Sequence, residues 1–262
     1  MITNYINRIP FGDGKWLFEQ DPVFADAAKK QVMRIKKKWR PPEHFYHLAK
    51  GGHVSAISHQ LDYSWFCKVD LKRFFQQITR NRVTRHLRSI GYPKLDAIDF
   101  AKDSTVLYGD IGPRHFALPY GFTQSPILAS LVLDGTPLGK EMYDLVAQDF
   151  EVGVYVDDIL IAHKDKGQIE LAWERAIEAA TRSNLVVNEK KSSPPATSCE
   201  AFNINYEAGL MQITADRMAE FSEEVLMCGK GATATAILEY VRSVNEDQAR
   251  ELKASFPGIY GP

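Results

Sequence analysis

The chain has little of what marks a secreted, disulfide-bonded or membrane-bound protein. Only three of its 262 residues are cysteines, and they lack any CxxC spacing. A disulfide framework or a zinc site is therefore not expected, and a reducing cytoplasm fits. The N-terminal segment has no apolar signal core, and no apolar run approaches the length of a membrane span. We expect a cytoplasmic protein without a membrane partner.

The charges of the chain are unevenly distributed, although their sum is only −1. The segment KKQVMRIKKKWR (29–40) holds seven basic residues and no acid, and RNRVTRHLR (80–88) is a second basic segment. Either segment alone fits a solvated helix face, whereas together they indicate a surface that contacts phosphates. The residues that we expect to bind nucleic acid are Lys36, Lys37, Lys38, Arg40 and Arg82.

Helical and extended patterns are mixed along the chain, which predicts an α+β fold. A helix over DPVFADAAKKQVMRIKKKW has Asp21 as its N-cap and Pro22 at its first position. The segment HFYHLAKGGHVSAISHQ (44–60) predicts two extended stretches around a Gly-Gly turn. Strands are also predicted for WFCKVD, EVGVYV and ILIAH. Helices are predicted for residues 71–91, 125–149, 168–184 and, with breaks, for the chain after residue 214.

Two adjacent carboxylates, Asp157 and Asp158, stand between the apolar halves of GVYVDDILIAH (153–163). An exposed turn explains their polarity, but Asp-Asp is a poor former of two-residue hairpin turns. A bound divalent cation would offset the crowding of carboxylates, and the dipeptide alone leaves both readings open. A third carboxylate, Asp70, ends the strand WFCKVD. If the two segments are neighbours in one sheet, the three carboxylates converge and can hold two magnesium ions for phosphoryl transfer.

Four ordered motifs resemble those of reverse transcriptases. They are KVDLKRFFQQI (68–78), LPYGFTQSPILASLVL (118–133), YVDD (155–158) and NLVVNEKKS (184–192). A lone YVDD is weakly specific, whereas four motifs in order over about residues 45–210 are strongly specific. The resemblance implies a right-hand polymerase with a mainly antiparallel palm sheet. Fingers and palm would occupy residues 1–212, with the fingers mainly at 1–65 and 80–116, and a short helical thumb would occupy residues 213–262.

The resemblance also implies the metal-binding groups of the palm. Asp70, Asp157 and Asp158 correspond to the family's carboxylate triad, in which Asp158 best tolerates a supporting role. The backbone oxygen of Leu71 would help to hold the nucleotide-bound metal. Together these groups would bind two Mg²⁺ ions, or Mn²⁺ in their place.

Residues that contact the nucleotide and the primer–template are implied in the same way. Phe75 would be the steric gate that excludes a ribose 2′-OH, while Phe74 can be a core aromatic. Gly121 would let the backbone approach the primer–template closely. Tyr120 stands where the family usually has Gln, so the contact with the templating base departs from the family pattern.

Cationic side chains complete the implied site. Lys50 is assigned to the incoming triphosphate because the family grips it with a two-stranded fingers hairpin, and Lys68 and Arg73 compete for this role. Lys191 would donate a proton to the pyrophosphate leaving group, with Lys190 as its competitor.

The resemblance implies RNA-directed DNA synthesis from dNTPs, with an RNA template and a DNA product. The Tyr at the Gln position is most like the "unknown-group" bacterial antiphage reverse transcriptases, which copy a structured noncoding RNA. Retron and group II intron enzymes are next nearest. Ribonuclease H, integrase and homing-endonuclease domains are not expected, and an accessory protein or a homo-oligomer is compatible with the sequence. Two alternatives stay open: a template-independent terminal transferase on the same palm, and an inactive nucleic-acid-binding relative.

Overall fold

The computed structural model describes residues 3–12, 15–109 and 114–261. Its strands are β1 (Tyr5–Pro10), β2 (Trp16–Gln20), β3 (Trp65–Asp70), β4 (Val106–Tyr108), β5 (His115–Ala117), β6 (Glu151–Tyr155), β7 (Asp158–His163), β8 (Ser193–Ala196), β9 (Ser198–Ala201), β10 (Ile204–Glu207) and β11 (Leu210–Ile213). Its helices are α1 (Pro22–Lys38), α2 (Gly52–Ser58), α3 (Phe74–Gln77), α4 (Arg80–Ser89), α5 (Lys94–Asp103), α6 (Ser125–Asp134), α7 (Pro137–Val146), α8 (Lys166–Arg182), α9 (Ala215–Cys228), α10 (Ala232–Val244), α11 (Glu246–Ser255) and α12 (Pro257–Tyr260).

A four-stranded sheet in the order β6-β7-β3-β8 lies at the centre of the fold. A three-stranded sheet, β11-β10-β9, and the hairpins β1-β2 and β4-β5 accompany it. The paired strands of every described sheet run antiparallel. This arrangement confirms the predicted α+β class with mainly antiparallel sheets.

Both faces of the central sheet are buried, which explains why its strands read as continuous apolar runs. On β7, Ile159 and Ile161 belong to a core shared with α4–α8. Leu160 and Ala162, on the opposite face, belong to a second core shared with β9–β11 and the C-terminal helices. Because side chains alternate between faces along a strand, every position of this stretch has to be apolar.

Helix starts were predicted well where a capping residue marks them. Helix α1 begins at Pro22, and the amide of Val23 donates to the Asp21 carboxylate at 2.9 Å. The helix predicted over residues 71–91 is split into α3 and α4, because Thr79 caps α4 with a bond from the Arg82 amide. Gly91 follows α4 in a left-handed conformation, with φ +84°.

The prediction of extended stretches in residues 44–60 is wrong. The structure has a short 3₁₀ turn at Tyr46–Leu48 followed by α2. Helix α2 forms despite its Gly-Gly start because Ala56 and Ile57 are fully buried in the second core. The hairpin β1-β2 was not anticipated. Within the described ranges, no helix combines the length and the apolar character needed to cross a bilayer.

Candidate active site

The antiparallel pairing of β3 with β7 brings the three carboxylates to one end of the central sheet. Asp70, the last residue of β3, is the direct cross-strand partner of Asp158. Tyr155 pairs with Asp158 to close the β6-β7 hairpin. The two turn residues are therefore Val156 and Asp157, not Asp157 and Asp158 as the sequence suggested. Asp158 already belongs to β7.

The turn that carries Asp157 has a strained backbone. Val156 adopts φ +59°, a region that a β-branched residue rarely enters. The carbonyl oxygen of Asp157 accepts a hydrogen bond from the Leu71 amide at 2.9 Å, so the end of β3 holds the turn on one side. Residues in such conformations persist only where their surroundings enforce them, and they cluster at functional sites.

The segment after α8 packs beside the end of β3 and closes the other side of the site. The Asn188 amide donates to the Asp70 carbonyl oxygen at 2.8 Å, and the Asp70 amide donates to the Ser192 hydroxyl at 3.0 Å. These bonds bring NLVVNEKKS next to the carboxylates. The charge of Lys191 partly opposes the rise in pKa that burial causes for both Asp157 and Asp158, and no such effect of Lys190 is seen.

Burial opposes ionisation of the carboxylates. Burial, and then the neighbouring Asp157 charge, raise the pKa of Asp158 to about 7, against a smaller lowering by Lys68. Burial also raises the pKa of Asp157, and the Asp70 charge adds to this effect. Crowded and partly desolvated carboxylates either take up a proton or are stabilised in their ionised form by a cation beside them.

A cleft of about 640 Å³ opens beside these carboxylates. Three of its lining residues are carboxylates, Asp70, Asp157 and Glu189, whereas Asp158 is not part of the lining. Five of its lining residues carry positive charge, which suits an anionic ligand: Lys15, Lys72, Arg73, Lys190 and Lys191.

The donor set of the cleft fits magnesium held jointly by protein and substrate. Across the described part of the chain, no three His, Cys, Asp or Glu side chains form a group that could hold a metal ion. Magnesium, however, is commonly bound by one or two carboxylates, with phosphate and water oxygens as the other ligands. Asp70 and Asp157 provide such a pair, and Asp158 stands beside them as a supporting charge.

Two aromatic residues of the predicted site contact each other. Phe75 lies 5.0 Å from Tyr120 in an edge-to-face contact. Burial raises the pKa of Tyr120 to about 12, and the charges of Asp157 and Asp70 add to the shift, so its hydroxyl stays protonated. Phe74 is 1% exposed, Phe75 is 9% exposed, and both belong to the main core. The assignment of Phe75 as the steric gate stays a prediction.

The position that a side chain of residue 121 would take is occupied by other protein atoms. Its φ is +98°, and a Cβ atom at this position would lie 2.3 Å from the carbonyl oxygen of Phe18. The Phe18 amide donates to the Tyr120 carbonyl oxygen at 2.9 Å. The glycine is thus required by the close packing of β2 against this loop, whereas the sequence suggested close packing against the primer–template.

The structure brings Arg73 into the cleft but not Lys50 or Lys68. Lys50 is exposed just before α2, in the segment where the expected hairpin is absent. Lys68 faces Asp158 and Cys199 on the second-core side of the sheet. Sequence reasoning missed Lys15, which lies directly before β2 and whose ammonium is 5.7 Å from the Tyr120 ring. No local signal marks this residue, because the hairpin that positions it was not anticipated.

Four basic residues at the end of α1 are exposed, and we call them the basic end of α1: Lys36, Lys37, Lys38 and Arg40. Arg82 differs from them. Its guanidinium is half-buried and donates to the carbonyl oxygens of Gln77, at 3.4 Å, and Ser183. These bonds join α4 to the end of α8, so the structure gives Arg82 an internal role that its place in a basic segment did not indicate.

The model of a protein family described as "Reverse transcriptase (RNA-dependent DNA polymerase)" matches residues 25–201. The chain belongs to the reverse transcriptase family. This family consists of nucleotidyltransferases, and its domains generally use divalent metal ions. A search of curated proteins gave no match.

Two solved structures, of a telomerase and of a foamy viral protease-reverse transcriptase, share the fold. Telomerase from Candida albicans, in complex with a fragment of telomeric RNA, has 11% identity and a TM-score of 0.52, and the alignment covers 90% of this chain and 48% of that one. A foamy viral protease-reverse transcriptase in complex with an RNA/DNA hybrid has 15% identity and a TM-score of 0.50, with 90% and 27% covered. The chain therefore spans about half of the length of these solved chains or less.

Proposed function

We propose that the chain is an RNA-directed DNA polymerase that joins dNTPs to a primer by two-metal phosphoryl transfer. The observation that carries the proposal is the pair Asp70 and Asp157 in one cleft rimmed by cations. Mg²⁺, with Mn²⁺ as a substitute, would be held by these carboxylates and would supply stabilisation of charge on the attacking and leaving oxygens. Asp158 and the backbone oxygen of Leu71 would support this site.

The cations of the cleft would orient the triphosphate. Lys15, Lys72 and Arg73 line it beside the carboxylates, and Lys15 comes from a two-stranded hairpin, the element on which the family places such residues. We therefore assign the contact with the incoming triphosphate to Lys15 instead of Lys50. Lys191 would donate a proton to the departing pyrophosphate, since its charge already acts on Asp157 and Asp158.

The aromatic pair would select the sugar and hold the template. Phe75 would block the space of a ribose 2′-OH, the group that distinguishes RNA from DNA nucleotides. Tyr120 presents a stiff ring in place of an adaptable amide, and stacking on a base contributes about 1–3 kcal/mol with little sequence dependence. We infer that Tyr120 favours a firm hold on a restricted template.

The fingers, palm and thumb boundaries stay as proposed from the sequence, with the helices from α9 onward as the thumb. The basic end of α1 would contact RNA phosphates outside the cleft. We further propose that the template is a structured noncoding RNA, that the role is antiphage defence and that the enzyme acts in the cytoplasm. The Tyr that replaces the family Gln supports this subtype over a retron-type enzyme.

A primer-extension assay tests the proposal against the alternatives. The purified protein is given dNTPs, Mg²⁺ and a primer annealed to an RNA of defined sequence, and the products are sequenced. Products complementary to the RNA are expected. Products independent of it would indicate a terminal transferase, and no products with any primed template would indicate an inactive relative.

Tyr120 variants test the template hypothesis in the same assay. Tyr120→Gln should broaden template use at some cost to activity on the native RNA, whereas Tyr120→Phe should be mild because the ring is retained. Unchanged product sequences in both variants would show that the ring serves packing against Phe75 alone.

A further inference from the structure

A partly buried histidine from outside the four sequence motifs contacts the strained turn. His47 lies in the 3₁₀ turn Tyr46–Leu48. The Val156 amide donates to Nδ1 of His47 at 3.4 Å, and the Asp157 carbonyl oxygen accepts from the Leu71 amide. These two bonds hold the peptide groups that precede and follow the Val156–Asp157 peptide.

The other ring nitrogen of His47 reaches helix α6. Its Nε2 lies 2.6 Å from the Ser130 hydroxyl oxygen, and this hydroxyl donates to the Pro126 carbonyl oxygen at 2.9 Å. With the Ser130 hydroxyl proton directed to Pro126, Nε2 carries the ring proton and donates to Ser130, and Nδ1 accepts from Val156. The three bonds are consistent with one neutral tautomer.

The surroundings favour that neutral ring. Burial lowers the pKa of His47 to about 4, against smaller opposing effects of the Val154 and Pro126 carbonyl oxygens. The ring also packs edge-to-face on Tyr155, with centroids 5.9 Å apart. His47 thus forms a fixed link between α6 and the catalytic hairpin.

We propose that His47 is a positioning residue for the catalytic carboxylates, because it fixes the Val156–Asp157 turn against α6 through both ring nitrogens. The inference rests on the proposed polymerase function for its effect on rate. The positioning of the turn by His47 does not depend on the proposed function. A left-handed Val persists only where its neighbours enforce the conformation, and His47 accepts a hydrogen bond from the amide of that residue. A misplacement of about 1 Å at a reacting group can cost about 10²-fold in rate.

Two amide substitutions separate the roles of the two ring nitrogens. In His47→Asn the side-chain oxygen takes approximately the place of Nδ1 and can accept from Val156. His47→Gln reaches Ser130 instead and leaves the Val156 amide without its acceptor. His53→Gln is the matched control, because His53 also packs on Tyr155, at 5.8 Å, but its Nε2 pairs with the Tyr240 hydroxyl at 3.0 Å.

Steady-state primer extension should show a fall in kcat of about 10- to 100-fold for His47→Gln, with the KM for dNTP nearly unchanged. His47→Asn should recover most of kcat, and the His53→Gln control should match the wild type. Hydrogen–deuterium exchange of the Val156 amide, a readout independent of activity, should be fast in the Gln variant and slow in the Asn variant. Equal kcat and equal exchange in Asn and Gln variants would overturn the inference.

Two further outcomes distinguish a failure of the inference about His47 from a failure of the proposed function. If the wild type incorporates no nucleotide, the proposed function fails, and the exchange measurement alone decides whether His47 fixes the turn. If His47→Gln does not fold, Ser130→Ala replaces it, since this change removes the partner of Nε2 and leaves the hairpin intact. Faster exchange at Val156 in Ser130→Ala would support the link to α6, and wild-type exchange would refute it.

Discussion

Gly121→Ala should destabilise the fold because β2 occupies the space that a side chain would need. The new Cβ would lie 2.3 Å from the Phe18 carbonyl oxygen and 3.1 Å from Cδ1 of Leu17. A left-handed backbone costs a non-glycine residue about 1–2 kcal/mol, and an extra methyl group in a packed contact costs about 1–3 kcal/mol. We expect the free energy of unfolding to fall by about 2–5 kcal/mol, which for a chain of this size lowers Tm by about 4–10 °C.

Gly209→Ala separates backbone strain from the steric clash. Gly209 has φ +75°, but nothing lies within 4 Å of the position that its Cβ would take, so only the strain of about 1–2 kcal/mol applies. Urea and thermal unfolding of both variants measure the difference. Nucleotide incorporation should also fall in Gly121→Ala, since the hairpin that carries Lys15 has to shift. If both variants unfold alike and Gly121→Ala only weakens primer–template binding, the glycine serves nucleic acid and our reasoning is wrong.

Three further predictions address the gate, the basic surface and the carboxylates. Phe75→Ala should admit ribonucleotides, which incorporation of rNTPs measures. Phe74→Ala, at a core position, should lower the free energy of unfolding by about 3–5 kcal/mol, which urea unfolding measures. Unchanged discrimination between dNTPs and rNTPs in Phe75→Ala would place the gate elsewhere. Replacing the basic end of α1 with Gln should weaken RNA binding for any sequence and flatten the log–log salt dependence by about one unit per lost contact; an unchanged slope would leave these residues as a solvated face. In EDTA, Asp158→Asn should stabilise the protein relative to wild type, and the stabilisation should grow from about pH 4 to pH 7. The reason is that the pKa of Asp158 is raised to about 7 in the folded state, so that ionisation of this carboxyl opposes folding. A difference in the free energy of unfolding that does not change with pH would contradict this.

The central sheet was predictable because local pattern and tertiary environment agree there. β3, β6 and β7 are buried on both faces and read as apolar runs, and the carboxylates at their ends are conspicuous against them. Helix α1 was predictable because Asp21 and Pro22 mark its start.

The elements that were missed are those whose local signal is weak or contradicted by packing. In β1-β2, Ile6, Ile9 and Leu17 are all exposed, so no alternation of buried and exposed residues marks the strands. Residues 44–60 contain a Gly-Gly pair that indicates a turn, yet burial of α2 against the sheet outweighs it. The positions of Lys15 and His47 follow from these two segments, so neither could be placed from the sequence.

Primer extension by Asp157→Asn is the most direct test of the proposed metal-dependent polymerase site. The substitution keeps the shape of the turn and its bond to the Leu71 amide, which uses the backbone oxygen of residue 157. It removes one of the three carboxylates that line the cleft, Asp70, Asp157 and Glu189. Circular dichroism and thermal unfolding establish that the variant is folded. We predict that nucleotide incorporation is abolished in a folded protein of unchanged or slightly raised Tm. Incorporation near the wild-type rate would contradict the assignment of a metal-dependent polymerase site to Asp70 and Asp157.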